Sequence, residues 1–209
     1  MSRGLCLQTD RLRLRHVAVE DIDHIVKLDN DPEVMRYING GVATPREVIE
    51  REIMPVLTRR AADAPAYGFW AGETQSDGAF VGWFSLRPTD ATQTVAALGY
   101  RLRREMWGRG YATEGVCALI ACGFQQPGLR QIVATTYEAN RSSLRVMEKV
   151  GMRFTRSLRF SAADIAAADT YHSESVEVWD GCDLEYALTR SQWLSQRYDQ
   201  TNTSPSSGE

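Results

Sequence analysis

The sequence predicts a mixed α/β domain of the α+β class, with a largely antiparallel sheet of about seven strands and helices on both faces. Three segments rich in aromatic and β-branched residues follow one another at 66–73, 79–88 and 94–103, and such a run predicts an antiparallel meander. After Tyr111 the apolar residues recur at helical spacing, and a mostly apolar strand follows at 131–139. A meander followed by one strand–helix–strand crossover gives a mixed sheet.

The N-terminal part adds one strand and two helices to this plan. Leu and Arg alternate around residues 11–15, which indicates a strand over 7–17 with one buried face. Residues 19–31 carry apolar side chains near helical spacing. The TPRE stretch begins the next helix, with Thr44 as N-cap and Glu47 completing a capping box. We expect this helix to run to about residue 61, with a kink at Pro55.

The segments after the crossover complete the sheet. A short helix begins at its N-cap Asn140 and ends at Gly151, because asparagine caps a helix start and glycine ends one. Two closing strands are predicted at 152–160 and 182–189, and one or two helical turns follow them.

Composition limits the class of protein. The 209 residues predict one domain over 1–198 and a polar, disordered tail at 199–209. A net charge of −3 argues against nucleic-acid binding. No apolar run reaches the roughly 18 residues of a membrane span, and the N-terminus lacks the apolar core of a secretion signal, so a cytoplasmic location is expected. The four cysteines form no C-x-x-C pair, which argues against a metal site.

The stretch REMWGRGYATEG at 104–115 places two glycines directly before a predicted helix. A helix N-terminus presents unpaired N–H groups and partial positive charge, and small residues before it let a phosphate approach them. The glycines therefore indicate an anion site near 108–113 or a tight turn, and their spacing does not decide between the two. A Walker A loop is excluded because no Gly-Lys-Ser/Thr follows, and a Rossmann turn is excluded because Thr113 replaces a required glycine.

Five stretches together carry a family resemblance. They are TDRLRLRHVAVEDIDHI, DPEVMRYI, LGYRLRREMWGRGYATEG, YEANRSSLRVMEKVGMRF and LEYALTRSQW, at 9–25, 31–38, 98–115, 137–154 and 184–193. On these motifs the chain resembles the GNAT superfamily of N-acetyltransferases, and most closely its RimJ/RimL-like branch. The resemblance implies a GNAT-like fold and acetyl-CoA as the co-substrate, without a metal.

The resemblance also assigns residues to the co-substrate. The pyrophosphate of coenzyme A would lie on the glycine turn, and the pantetheine arm would bond the strand before it, which in the family splays away from the next strand. Trp107 is expected to pack under the turn. The residues implied to bind the co-substrate are Tyr100, Leu102, Gly108, Arg109, Gly110, Tyr111, Ala112, Thr113 and Asn140.

The departing thiolate needs a proton donor or a hydrogen bond. Many GNAT enzymes supply it from a tyrosine seven residues after the asparagine, but this chain has Met147 at that position. The RimL-like pattern implies a serine three residues after the asparagine instead. Ser143 is therefore the candidate acid.

The general base is harder to assign. An attacking amine must be neutral, so a base or a water chain to one is expected. Many relatives carry a glutamate where this chain has Ala97, which leaves Glu138, His172 or another group of the 161–183 segment as candidates. From Phe160 to Thr189 the sequence is free of Lys and Arg, and this stretch forms either an acidic rim that attracts a cationic amine or a solvated loop. Its acids are Asp164, Asp169, Glu174, Glu177, Asp180, Asp183 and Glu185.

The function implied is acetyl transfer to a primary amine, either a protein N-terminus or a small molecule. Tyr37, Trp70, Trp83 and Trp179 are candidates for the acceptor pocket or for the core. A coenzyme-A-binding regulator without catalysis is the alternative within the fold, and a nucleotide-phosphate enzyme is the alternative outside it. Dimers are common in this branch, so a homodimer is a further expectation.

Overall fold

The computed structural model describes residues 6–60, 64–89, 91–159 and 181–202. Its strands are β1 (Cys6–Gln8), β2 (Leu12–His16), β3 (Gly68–Thr74), β4 (Phe80–Pro88), β5 (Val95–Leu102), β6 (Gln131–Tyr137), β7 (Arg153–Leu158) and β8 (Asp183–Thr189). They form one eight-stranded sheet in the order β1-β2-β3-β4-β5-β6-β8-β7. Neighbouring strands are antiparallel except β5 and β6, which are parallel. The predicted mixed sheet is confirmed.

Helices lie before, between and after the strands. They are α1 (Ile22–Asp29), α2 (Pro32–Asn39), α3 (Arg46–Val48), α4 (Met54–Leu57), α5 (Tyr111–Gly123), α6 (Arg141–Lys149) and α7 (Arg190–Asn202). A π-helical turn (Ile49–Ile53) joins α3 to α4, and single 3-10 turns lie at Val19–Asp21 and Arg104–Met106. The last helix extends four residues past the domain limit of 198 that was predicted from sequence.

The N-terminal strand differs from the prediction. Residues 7–17 form the hairpin of β1 and β2 rather than one strand. The chain turns because the Thr9 N–H donates to the Leu12 carbonyl at 2.9 Å, which closes a tight loop between the two strands. This extra strand accounts for eight strands instead of about seven.

The helical region after residue 44 also differs in detail. The predicted cap at Thr44 is wrong, because the N-cap is Pro45, whose carbonyl accepts from the N–H groups of Val48 and Ile49. Pro55 lies in the first turn of α4, directly after the π-helical turn. A proline lacks the N–H of a regular helix and crowds the preceding turn, so a widened turn accommodates it.

Two apolar clusters cover the two faces of the sheet. Alternation along β3 separates them, because Trp70 joins one cluster while Phe69 and Ala71 join the other. The first cluster holds the apolar side chains of α5 and α6, and the second those of α1 and the π-helical region. Helices therefore lie on both faces, as predicted.

Helix α5 lies very close to the sheet. A Cβ at Gly115 would lie 2.4 Å from the Phe84 ring on β4, so glycine is required for this approach. The close packing fixes the N-terminus of α5 beside the end of β5, which is where the candidate site begins. Among the described residues, no helix combines the length and apolarity needed to cross a membrane.

Candidate active site

The site begins where two strands separate. β5 and β6 pair only from Val95 to Ala97, opposite 131–133. Beyond this point β5 continues to Leu102 beside β4, while β6 continues to Tyr137 beside β8. The sheet is therefore split into two arms, as the resemblance predicts, and the gap between them opens toward α5 and α6.

The backbone of β5 presents polar groups to this split. The Val95 carbonyl and the Arg103 N–H both bond toward the β4 side, at 3.0 and 2.9 Å. Successive residues of a strand direct their backbone groups to opposite edges. The Leu98 carbonyl and the N–H and carbonyl groups of Tyr100 and Leu102 consequently face the split, beyond the last pairing of β5 with β6.

Trp107 lies at the end of this open edge. Its indole N–H donates to the Leu102 carbonyl at 2.9 Å, and 47% of the residue is exposed. The expectation that Trp107 packs under the turn is therefore wrong. Because a carbonyl has two lone pairs, the Leu102 oxygen retains a second acceptor position.

The glycine turn has a conformation that side chains disfavour. Gly108 and Gly110 have φ of +71° and +83°, which lies in the left-handed region. Gly110 is the N-cap of α5, and its carbonyl accepts the first helical hydrogen bond from the Glu114 N–H at 3.0 Å. Across the described residues, the N–H groups of 111–113 have no hydrogen-bond partner. The glycines permit the turn, and the turn leaves three donors open.

A clamp from the β1–β2 hairpin holds this turn. The Arg11 guanidinium donates to the Arg109 carbonyl at 2.9 Å and pairs with the Glu114 carboxylate at 2.6 Å. The Thr9 hydroxyl donates to the same carboxylate at 2.6 Å. Arg11 also lies 4.8 Å above the Tyr111 ring. These residues were not singled out from sequence, although Thr9 and Arg11 belong to a family-like stretch.

Glu114 is charged because its partners outweigh its burial. Burial raises the pKa of this carboxyl, but hydrogen bonds from Thr9 and Arg11 and the Arg11 charge lower the pKa below its ordinary value. The carboxylate therefore stays ionised and fully engaged with the hairpin.

The N-terminus of α6 forms the opposite wall of the split. The Asn140 side-chain oxygen accepts from the Ser143 N–H at 3.2 Å and from the Ser142 hydroxyl at 2.9 Å, which confirms the predicted N-cap. Among described residues the Asn140 side-chain N–H groups have no partner. The Tyr100 hydroxyl lies 2.8 Å from the Ser143 hydroxyl. Met147 is buried one turn further along.

One carboxyl group stands at the far end of the split. Asp183 begins β8, opposite Tyr137 of β6, and lines the cleft. Burial raises the pKa of Asp183 above its ordinary value. Within the described ranges its carboxylate has neither a hydrogen bond nor an ion pair.

Two predicted site residues lie outside the cleft lining. Glu138 is exposed, and only its backbone N–H reaches Cys182, donating to that carbonyl at 3.0 Å. Arg109 is exposed and directs its carbonyl to Arg11. The other predicted residues line the cleft: Tyr100, Leu102, Gly108, Gly110, Tyr111, Ala112, Thr113, Asn140 and Ser143.

The predicted acidic rim falls mostly on residues that the structure does not describe. His172, Trp179 and the acids from Asp164 to Asp180 lie outside the described residues. Of the two described acids, Glu185 pairs with Arg156 at 2.9 Å. This partner lowers the pKa of Glu185. Asp183 is thus the rim acid that the structure brings into the cleft.

The cleft has a volume of about 810 Å³. Tyr37 and Trp83 line it, whereas Trp70 is fully buried in the core. Five cationic side chains among the described lining residues outnumber the carboxylates Glu33 and Asp183. The cations, which were not singled out from sequence, are Arg36, Arg87, Arg101, Arg145 and Lys149. In the described part of the chain, no group of three metal-ligating side chains is found.

Known proteins share this architecture and sequence pattern. Residues 11–153 match the acetyltransferase (GNAT) domain family. The chain is 29% identical over 198 residues to FsC-acetyl coenzyme A-N(2)-transacetylase of Aspergillus fumigatus, covering 90% of this chain and 77% of that protein. It is 33% identical over 159 residues to the uncharacterized Bacillus subtilis protein YkkB, covering 73% and 88% of the two chains.

A solved structure agrees with the fold. The acetyltransferase (GNAT family) from Bacillus anthracis superposes with a TM-score of 0.70 at 21% identity. The match covers 90% of this chain and 99% of that one.

Proposed function

The chain belongs to the GNAT acetyltransferase family, and from this premise we propose that it is an N-acetyltransferase that moves acetyl from acetyl-CoA to a primary amine. The amine attacks directly in a ternary complex, within one domain over about residues 1–198. We also propose membership of the RimJ/RimL-like branch, on the sequence motifs around the turn and α6.

The observation that carries this proposal is the split beside the glycine turn. An extended arm needs unpaired strand groups, and the β5 edge supplies them at the Leu98 carbonyl, Tyr100 and Leu102. A diphosphate needs N–H donors, and residues 111–113 supply three at the positive end of α5. Arg101 is neutralised by its buried ion pair with Asp29, but the other lining cations still outnumber Glu33 and Asp183 and favour the same polyanion. The residues present therefore fit coenzyme A.

Individual roles follow from this fit. We propose that the backbone of Tyr100 and Leu102 bonds the arm, while the turn from Gly108 through Thr113 binds the pyrophosphate. The Asn140 side-chain N–H groups remain for the arm because its oxygen is used in capping. Arg109 acts through its backbone and its charge, since its side chain lies outside the lining.

Acetyl-CoA would supply an activated acyl group on a thiol leaving group. Ser143 is the proposed donor to the leaving sulfur, because its hydroxyl lies in the cleft at the start of α6. Met147, at the position that carries tyrosine in many relatives, has no proton to donate.

For the base we propose Asp183, within the 161–183 segment that sequence reasoning selected. Asp183 lines the cleft with no partner for its carboxylate in the described part of the chain, and its raised pKa makes it a better base than an ordinary aspartate. Its charge also attracts a protonated amine. Glu138 stays a prediction, and its exposed position makes it the weaker candidate.

The acceptor is proposed to be a primary amine. The name of the Aspergillus fumigatus relative describes transfer to an N(2) nitrogen, which supports a nitrogen acceptor. An unpaired carboxylate in the cleft supports a cationic one. A small-molecule amine and a protein N-terminus both satisfy this chemistry.

Thermal unfolding tests the co-substrate. At about 100-fold excess over Kd, acetyl-CoA is expected to stabilise the chain by about 2.7 kcal/mol, which raises Tm by about 5–10 °C. ATP and NAD at the same concentration serve as controls and are expected to leave Tm nearly unchanged. Equal stabilisation by ATP would favour the nucleotide-phosphate enzyme instead.

A coenzyme-A-binding regulator without catalysis is the less favoured alternative. It was suggested by Ala97 and Met147, which replace residues common in active relatives. The hydroxyl pair of Tyr100 and Ser143 and the carboxyl of Asp183 favour an enzyme, because a binder has no use for an unpaired carboxylate in its cleft.

A further inference from the structure

The side chain of Tyr100 makes contacts that its backbone role does not require. Its hydroxyl oxygen lies 2.8 Å from the Ser143 hydroxyl and 3.2 Å from the Ser143 carbonyl oxygen, and both can accept its proton. These contacts join β5 to the first turn of α6 across the split. Sequence reasoning had used only the backbone of Tyr100.

The phenol of Tyr100 is a permanent hydrogen-bond donor. Burial raises the pKa of Tyr100 to about 12, against a smaller opposing effect of the Ser143 hydrogen bond. Its proton therefore stays on oxygen throughout the neutral pH range.

The two hydroxyl protons can be arranged in two ways. If Tyr100 donates to the Ser143 carbonyl, the Ser143 hydroxyl can donate to the phenol oxygen. Its proton is then unavailable to any group in the cleft. If Tyr100 donates to the Ser143 hydroxyl oxygen, the Ser143 proton turns away from the phenol and into the cleft. A negative charge in the cleft favours the second arrangement, because chained hydrogen bonds strengthen one another.

We propose that Tyr100 is a positioning residue that acts through Ser143. Its hydroxyl holds the Ser143 oxygen and directs the Ser143 proton at the sulfur anion that leaves as the amide forms. In this way a phenol on β5 takes over from the tyrosine that α6 lacks at Met147. This role rests on the proposed acetyl transfer.

Acetyl transfer balances in protons and electrons, and neither hydroxyl loses its own proton. The amine nitrogen provides the electron pair of the new C–N bond, and the C–S bond breaks with its pair left on sulfur. The former ammonium loses two protons, the first to Asp183 before attack and the second as the amide forms. One of them ends on sulfur and the other passes to solvent, while Tyr100 and Ser143 keep their own.

The test compares Y100F, S143A and the double variant in the full chain. S143A is expected to lower kcat about 100-fold and Y100F about tenfold, with KM for acetyl-CoA nearly unchanged. The double variant should equal S143A, since Tyr100 has nothing to act through once the hydroxyl is gone. Y67F is the control, because Tyr67 is a buried tyrosine that lies outside the cleft lining.

A second readout does not depend on turnover. The ultraviolet thiolate absorbance of bound coenzyme A, titrated with pH and corrected with desulfo-coenzyme A, gives the pKa of the bound thiol. Y100F should raise this pKa by about 1 and S143A by about 2, because a tenfold change corresponds to one pH unit. The double variant should raise it no further than S143A, and Y67F should leave it unchanged.

The outcomes separate the inference from the proposed function. The role of Tyr100 is overturned if the double variant loses kcat by the product of the two single-variant factors, or if the bound thiol keeps its wild-type pKa in Y100F. Neither result would contradict acetyl transfer. A wild-type chain that fails to bind coenzyme A would overturn the proposed function, and the role of Tyr100 with it.

Discussion

Two carboxylates, one behind the glycine turn and one in the cleft at the start of β8, differ in their partners and in the direction of their pKa shifts. Glu114, below the glycine turn, is held by Thr9 and by Arg11 at 2.6 Å each. Asp183, at the β8 end, has no partner among the described residues. The first is committed to holding the backbone in place. The second is free to exchange a proton or to meet a cation.

The same contrast extends to the surroundings of each carboxylate. The turn end presents backbone N–H groups, and their direction toward the cleft depends on a fixed backbone conformation. The β8 end presents side chains, and reaction chemistry depends on their protonation. Changes at the turn should therefore affect binding of acetyl-CoA, whereas changes at the β8 end should affect turnover.

The largest effect is expected for D183N. Removing a general base lowers kcat/KM by about 100-fold or more, with KM for acetyl-CoA nearly unchanged. Steady-state kinetics with a responsive amine measures both constants. E185Q is the matched control, because Glu185 lies on the same strand but pairs with Arg156. Wild-type kinetics in D183N would show that Asp183 is not the general base.

The next largest effect is expected for G108A. The added methyl group should raise KM for acetyl-CoA about tenfold, since about 1.4 kcal/mol of binding is lost, and should leave kcat unchanged. G78A is matched, because Gly78 has the same φ of +71° and equally open surroundings. Both variants should lose about 1 kcal/mol of stability. A KM increase in both would show that strain, not the site, is responsible.

A smaller kinetic effect is expected for E114Q. Weakening the clamp on the turn should raise KM for acetyl-CoA about threefold and cost about 2 kcal/mol of stability, because hydrogen bonds to a charged group are lost. Isothermal titration with coenzyme A and urea unfolding measure the two quantities. A loss of kcat at unchanged KM would contradict the assignment of Glu114 to binding.

The smallest effect, but one with a distinctive sign, is the pH dependence of stability. The pKa of Glu114 is lowered by folding, so its contribution is present at neutral pH and is lost as pH falls through the carboxyl range. The pKa of Asp183 is raised, so its ionised form costs stability at neutral pH and this cost disappears as pH falls.

Urea unfolding at about pH 7 and about pH 4 checks these signs. E114Q should be less stable than wild type, and D183N more stable, with both differences shrinking at the lower pH. A D183N variant that is less stable at neutral pH would indicate a buried partner for Asp183.

The fold and the turn were predictable because both leave local signals. Strand alternation and helical spacing predict the sheet and the helices on its faces, and two glycines before a helix predict the turn. The hairpin of β1 and β2 was missed because the alternation of Leu and Arg around residues 11–15 marks β2, whereas β1 is only three residues long and carries no comparable signal.

The side-chain part of the site was less predictable. Arg11 lies 103 residues from Glu114, and Tyr100 lies 43 residues from Ser143, so no local pattern joins them. Glu138 is two residues from Asn140 in sequence, yet it is exposed while Asn140 lines the cleft. That Asp183 has no partner among the residues the structure describes is a property of three-dimensional packing alone.

The most direct test of acetyl transfer is thiol release from acetyl-CoA in the presence of a panel of amines. The panel contains amino acids, polyamines, aminoglycosides and short peptides with free N-termini. We expect at least one primary amine to release thiol in step with formation of its N-acetyl product, with D183N strongly impaired. A chain that binds acetyl-CoA but releases no thiol with any amine would contradict the account and identify a binding protein instead.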